Sequence, residues 1–445
     1  MAFSIQSLGH LGDLLAFVFS VVLTVAILAA SAWVGLSVGR WSGIRFAAAI
    51  GAYLLVWIVT ALLTGLPTVA LAATLPALVV VALLVPGSEP LQQPPGSTVR
   101  RRAIAAVGGA LGFGVIAYLV GRTRTMPPRE PMEAPPEATR LAEQARARQF
   151  DVESIPGLVS PTDEFYEVDI NSINPMVDAD RWELTLTGAV DTEFALTYDE
   201  LRAMPAETKF KTLRCVGEQL NAKLMNNAIW TGVPITRLLD RASPQSGCEC
   251  VLLRAADGYF EEFPLAALER GFLAYGMNGE SLPRGHGYPV RALIPGHWGE
   301  INVKWLTEVE VLERETNGYW ENRGWHGTGP VNTVAKIWTN ERLDDGSVLV
   351  GGLAYAGTRG IERVEISTDG GTTWTDAAVS GPLDEADVLG GRDAWRQWQY
   401  TWTPSPGQHV VVARAVDGEG RQQPRDQRSP FPNGASGWVS ITISV

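Results

Sequence analysis

Two parts of the chain carry side chains that could do chemistry together. Cys215, in the run KTLRCVGEQL, closes a β-like stretch, KFKTLRC, and a glycine follows two residues on. Its sulfur is therefore expected at a strand end, facing a cleft, where a thiolate can bind a soft metal. The second part runs from Phe272 to Leu306, FLAYGMNGESLPRGHGYPVRALIPGHWGEINVKWL. It sets His286, Arg291 and Lys304 among glycines and prolines. Such a loop lets backbone approach a ligand closely, while its cations and donors hold a phosphate or a polar ring. One thiolate and one phosphate-grasping segment point to a metal-carrying organic cofactor, set where strand ends gather.

The elements that must position these residues fall into two unlike parts. A chain of 445 residues is too long for one ordinary core. Four apolar runs without a charged residue, Leu14 to Val38, Phe46 to Leu63, Thr68 to Val85 and Ala103 to Val120, each come near the roughly 20 residues that cross a bilayer. They predict a four-helix transmembrane N-terminal region over residues 1–121, the second and third runs joined by the short TGLP turn, with a kink at Pro76. Arg40 and Arg45 follow the first run and Arg100, Arg101 and Arg102 precede the fourth, against Arg122 and Arg124 beyond it. The positive-inside bias then predicts a multi-pass cell-membrane protein with its soluble domains on the extracytoplasmic side. The stretch STVRRR reads either as an internal twin-arginine export signal or as a stop-transfer flank, and both put the same side inside.

Residues 122–161 are proline-rich, then charged and helical, as an extracytoplasmic linker would be. From 162 to 325, β-like runs such as RWELTLTGAV and CVLLRAA alternate with helical ones such as YDELRAM and PITRLLDRA, which predicts a mixed α/β domain. From 326 to 445 the pattern changes to short alternating strands (VAKIWT, VLVGGLAYA, RVEIST, QYTWT, HVVVARAV, WVSITISV) between turns such as DGG and PSPG, which predicts a β-sandwich.

TLRC with WTGVPITRLLD, LAYGMNG, HGYPVR and VKWL resemble the sulfite oxidase family of molybdopterin enzymes, and GLAYAGTRGIERVEISTDGGTTW with ARAVDGEGRQQP resemble that family's immunoglobulin-like dimerisation domain. The resemblance covers residues 162–445. It implies a molybdenum and molybdopterin cofactor, with Cys215 as metal ligand and catalytic residue and with other sulfurs coming from the pterin. It further implies Tyr275 as the active-site tyrosine, Arg359 as the arginine given by the second domain, and Asp257, His286, Arg291, Asn302, Val303 and Lys304 as cofactor-binding residues. A homodimer through the C-terminal domain is a further expectation.

The chain departs from the family where sulfite would bind. Leu220 stands where an arginine is usual five residues after the metal cysteine, and Glu167, in FYEVD, stands at or near another. With Glu218 also expected near the pocket, a small dianion would be repelled, so an uncharged or cationic oxygen donor or acceptor is at least as well suited as sulfite. The reaction expected is two-electron oxygen-atom transfer on a small sulfur or nitrogen compound, in either direction. Two rivals stand beside it: a sulfoxide reductase of the periplasmic methionine-sulfoxide type, and a non-catalytic surface binding protein with a degenerate site.

A net charge of -12 excludes nucleic acid as a partner. The five histidines include no pair in the apolar runs that could hold a haem, and no CxxCH occurs, so electrons are expected to pass to or from a separate cytochrome or quinone-linked protein. Cys248 and Cys250 share a strand face and read as packed thiols or, less simply, as a redox or metal pair.

Overall fold

From Glu183 onward the apolar residues alternate with polar ones over short runs, and the chain answers with strands. The computed structural model describes residues 129, 131–171, 173–245, 249–383 and 391–445. Among these residues there are four α-helices, the longest of 13 residues, and none is long and apolar enough to cross a membrane. The expected fold class with a four-helix transmembrane region, and the multi-pass cell-membrane location drawn from it, are corrected accordingly: the described chain is mostly β-sheet. The reason is physical, since nothing from residue 131 on sustains the roughly 20 apolar residues a span needs. The expected spans, within residues 1–121, lie outside the described residues.

Helix α1 (Pro136–Arg148) occupies the stretch expected as a linker, yet it is not a free spacer. Leu141 is fully buried, and Ala138 and Ala145 nearly so, one helical face apart from the charged one. The first sheet has the order β2-β1-β10-β5-β6, from β1 (Glu183–Gly188), β2 (Phe194–Thr197), β5 (Cys250–Ala255), β6 (Phe260–Pro264) and β10 (Leu306–Leu312). Only β1 and β10 run parallel. Leu184, Leu186, Val251, Leu253, Val309 and Val311 supply its buried face. Helix α2 (Tyr198–Ala203) starts on a capping box in which Thr197 and Glu200 satisfy each other's backbone N–H groups.

The second sheet positions the candidate site: β3 (Glu207–Arg214), β4 (Met225–Pro234), β7 (Phe272–Met277) and β8 (Glu280–Ser281) in that order, with β9 (Arg291–Leu293) also on β7. Strands β4 and β7 slip register after Thr231, and a Cβ at Gly232 would meet the Leu273 carbonyl oxygen at 2.0 Å, so only glycine closes this bulge. Helix α3 (Thr236–Ala242) follows β4, and the short α4 (Leu265–Leu268) follows β6.

The expected β-sandwich is present as two four-stranded antiparallel sheets. One has the order β11-β12-β16-β15, from β11 (Val334–Arg342), β12 (Val348–Tyr355), β15 (Ala378–Val379) and β16 (Arg396–Trp402). The other has the order β14-β13-β17-β18, from β13 (Ile361–Ser367), β14 (Thr375–Asp376), β17 (Gln408–Asp417) and β18 (Val439–Ser444). Its core is continuous with that beside β3: Phe210, Val216 and Trp298 lie in one buried cluster with Tyr355, Trp395 and Trp398. A buried ion pair crosses the same boundary, Lys211 Nζ lying 3.1 Å from Asp393, which also accepts from the Tyr355 hydroxyl at 2.7 Å.

Candidate active site

Cys215 stands at the end of β3, as its sequence requires, and is half-buried. Its N–H donates to the Leu224 carbonyl, closing a tight loop. Glu218, within that loop, has a wholly buried side chain and accepts from Arg214 Nε at 2.7 Å, from Lys336 Nζ at 2.6 Å and from the Leu224 N–H at 3.0 Å. Arg214 in turn donates to the Asn332 carbonyl and lies 4.7 Å above the Trp298 ring. The cysteine loop is thus tied to its own strand and to β11 of the sandwich. Burial, with Arg214 beside it, lowers Lys336 to about 8 despite the Glu218 carboxylate. Glu218, expected to repel a dianion, is instead consumed by two cations. Leu220 packs on the shared core.

Burial first, then the Glu218 and Glu300 carboxylates, push the Cys215 thiol up to about 12. Such a thiol ionises when a metal cation takes the place of its proton.

The second segment folds back on itself. At Gly287 φ is +110°, and a Cβ there would press on Arg291 and Lys304, so glycine lets the loop close over both cations. Arg291 is 4% exposed; it donates to the His286 carbonyl at 3.1 Å and the Asn302 carbonyl at 2.9 Å and lies 5.3 Å above the Trp230 ring. Its Nε is buried with no acceptor, and no carboxylate lies within ion-pair distance among the described residues. Burial lowers its pKa to about 10. A buried guanidinium held only by carbonyls, with one N–H unanswered, is a site for an anion.

The other residues of this set cluster with it. Asn302 accepts from the Ile294 N–H and donates to the Trp298 carbonyl, and Val303 is core. Lys304 donates to the Gly285 carbonyl at 2.8 Å and pairs with Asp169. His286 is 3% exposed, with Nε2 3.3 Å from the Thr162 carbonyl oxygen. Burial, with Arg291 beside it, holds it down to about 4, so it is neutral and acts by hydrogen bonding, not charge. Glu167 lies 3.9 Å from that ring and against Gly285. Asp257 closes the β5–β6 turn by accepting from the Tyr259 N–H; burial, then Asp169, raise its pKa.

Tyr275 is 7% exposed in the core that also holds Tyr288 and Val290, where Arg202 is the charge it feels. Arg359 is committed to Asp417 at 2.9 Å, the Val331 carbonyl at 2.8 Å and the Thr333 hydroxyl at 3.1 Å. Cys250 is buried in β5; Cys248 lies outside the described residues.

Three residues that sequence reasoning missed lie by Cys215. Tyr166 is half-buried, and its hydroxyl lies beside Gly299; burial, then Cys215, raise its pKa well above the usual range, with Arg291 opposing. Trp325 and the Cys215 Sγ both flank Gly217, lying 3.7 Å and 3.9 Å from where a Cβ would stand. The Glu300 carboxylate and Val216 both abut Gly327, and the Glu300 Oε2 is buried without a partner. Burial, then Glu261 and Glu321, raise Glu300 to about 8. The only sequence signal was the adjacency of Tyr166 to Glu167 in FYEVD.

Glu261, fully buried, is raised to about 7 by burial. Folded protein therefore keeps a proton that the unfolded chain releases near 4.5, and stability falls as pH rises through that window, by up to about 3 kcal/mol. Melting midpoints should be higher at pH 5.5 than at pH 8, and Glu261→Gln should shrink the difference. An unchanged difference in the variant would contradict this.

Residues 171–320 match the family model described as the oxidoreductase molybdopterin binding domain, and residues 330–431 the Mo-co oxidoreductase dimerisation domain. The sulfite oxidase of Arabidopsis thaliana is 28% identical over 365 residues, 68% of this chain and 92% of that protein. This chain carries sulfite oxidase-family molybdopterin oxidoreductase domains. The mitochondrial sulfite oxidase of Homo sapiens is 29% identical over 310 residues, 58% of this chain and 56% of that protein, so the match spans just over half the human relative's length. The crystal structure of the sulfane dehydrogenase SoxCD from Paracoccus pantotrophus shares the fold, with a TM-score of 0.54 at 22% identity over 65% of this chain and 82% of that one.

The site fits the cofactor such a molybdenum-dependent oxidoreductase uses. Among the described residues no three His, Cys, Asp or Glu side chains gather to hold a metal alone. A single cysteine sulfur suits a metal whose other ligands arrive with the pterin, and the unanswered Nε of Arg291 suits that cofactor's anionic end.

Proposed function

We propose that this molybdopterin oxidoreductase carries out two-electron oxygen-atom transfer on a small sulfur or nitrogen compound, exchanging the electrons with a separate cytochrome or quinone-linked protein. The observation that carries this is the pairing of a half-buried Cys215 at a strand end with the anion-seeking Arg291. Bound molybdopterin would supply a metal able to accept or donate two electrons while oxygen moves to or from the substrate.

The protein's own residues bind, orient and exclude. Cys215 would hold the metal, its loop fixed by Glu218. Arg291 and Lys304 would face the phosphate, while neutral His286, Asn302, Asp257 and the Val303 backbone orient the polar rings. Tyr166, between Cys215 and Arg291 by its electrostatics, is better suited than Tyr275 to donate a hydrogen bond to the reacting oxygen of the substrate. Arg359 would act by holding the sandwich turn in place. The domain spanning 326–445 would pair two copies of the chain.

Arg291→Met tests the cofactor half of this reading. It keeps the volume and the Trp230 contact but removes the charge, and pterin content per folded chain should fall at least about tenfold. Full pterin content in a variant with unchanged circular dichroism would refute it.

A further inference from the structure

The charges around Cys215 are unequally committed. Arg214 and Lys336 are paired with Glu218, Lys211 with Asp393, Arg359 with Asp417 and Lys304 with Asp169. Arg291 faces the cofactor segment, with its donors on His286 and Asn302. Two carboxylate oxygens remain unanswered: Glu300 Oε2 and Oε1 of Glu261, a residue that is 0% exposed.

A run of aromatic rings leads outward from the same place. Trp325, beside Cys215, lies 6.3 Å from Trp320 and 5.3 Å from Phe431, both edge to face, and Trp320 lies 5.2 Å from Tyr319. Trp325, Trp320 and Tyr319 are half-buried, while Phe431 is 54% exposed, so the run opens to solvent. Glu261 belongs to it directly, its Oε2 accepting from the Tyr259 hydroxyl at 2.8 Å and from the Trp320 N–H at 3.4 Å. Arg323 stacks on Tyr319 and donates to that residue's carbonyl, leaving both carboxylates as they are.

Aromatic rings beside desolvated carboxylates recognise alkylated cations, whose charge favours the ionised carboxylate, and once ionised the same groups reject dianions. We propose that the aromatic run beside Cys215 receives an organic cation, a small compound bearing an alkylated, positively charged nitrogen or sulfur, in preference to a sulfite-like dianion. This rests on the oxidoreductase reading above and names its substrate class: the cationic group anchors the molecule, and oxygen moves to or from a second, uncharged sulfur or nitrogen atom of it.

The test is titration of the molybdenum-loaded full chain at about pH 9, where the carboxylates are ionised, with tetramethylammonium and with sulfite, followed by calorimetry and tryptophan fluorescence. Tetramethylammonium should bind saturably, at least about tenfold more tightly than sulfite, and should lose at least about tenfold in Glu300→Gln and in Trp325→Leu. Sulfite binding as tight as the cation's, or cation binding unchanged in Glu300→Gln, would overturn the proposal. Glu300→Gln is isosteric and decides the matter if Trp325→Leu misfolds. Molybdenum content on the same samples separates the two readings: loaded protein that ignores the cation sinks this inference alone, and metal-free protein that binds it sinks the cofactor reading alone.

Discussion

Cys215→Ala should leave a folded chain whose oxidoreductase activity, measured with a dye as electron acceptor or donor, is lower by at least about 10³-fold, the scale expected when a group at the reacting centre is removed. The fold should survive because the side chain is half-exposed at a strand end and its anchoring is by backbone, through the Leu224 carbonyl. The Glu218 network that shapes the loop does not use the sulfur. A stability change below about 1 kcal/mol is therefore expected. Activity within tenfold of the parent would remove Cys215 from the metal's ligands, and an unfolded variant would show that the thiol does structural work the geometry does not reveal.

The largest effect on stability is expected at Glu218. Its carboxylate is the shared partner of Arg214 and Lys336, and all three side chains are wholly buried. Truncation to Ala leaves two cations in a dry interior and strips the Leu224 N–H of its acceptor. Breaking a buried pair in this way costs about 3–5 kcal/mol. Urea unfolding of Glu218→Ala should show a loss of that order. Lys336→Met on top of it should recover part of the loss, since one unpaired charge goes with it. A single-site loss below about 1 kcal/mol, or no recovery in the double variant, would contradict the network. Because Lys336 belongs to the sandwich and Glu218 to the cysteine loop, the same substitution should loosen Cys215.

Much of the architecture was legible in advance, for reasons that differ along the chain. The period-two alternation in WELTLTG and VSITIS declares strands with one buried face, and both formed. The helical stretch YDELRAM carried its own capping box, and helix formed there. Local signals of this kind do not report tertiary partners. Nothing in the charge spacing of PPEATRLAEQARAR around Arg140 said that Leu141 would be fully buried, so α1 read as a spacer. Apolar runs before residue 121 suggested a membrane region, and the described residues contain no helix able to cross one.

The site was legible in part for the same reason. Cys215 lies in one short segment and Arg291, Asn302 and Lys304 in another, within which Arg291 donates to the Asn302 carbonyl. Glu218 looked like a free charge because its partner Lys336 is 118 residues away and in another sheet. Tyr275 drew attention because it lies in a distinctive block, while Tyr166, Trp325 and Glu300 lie against Gly299, Gly217 and Gly327, contacts that no local pattern announces. Arg359, expected from the second domain, pairs with Asp417 at the end of β17, a partner 58 residues away that no local pattern announces.

Molybdenum-edge X-ray absorption on the loaded protein, with Cys215→Ala beside it, tests the central claim most directly. The account predicts one sulfur fewer around the metal in the variant, with the pterin still bound through Arg291 and its neighbours. An equal sulfur count in both proteins, or parent protein that takes up no molybdenum from a host that makes the pterin, would contradict it.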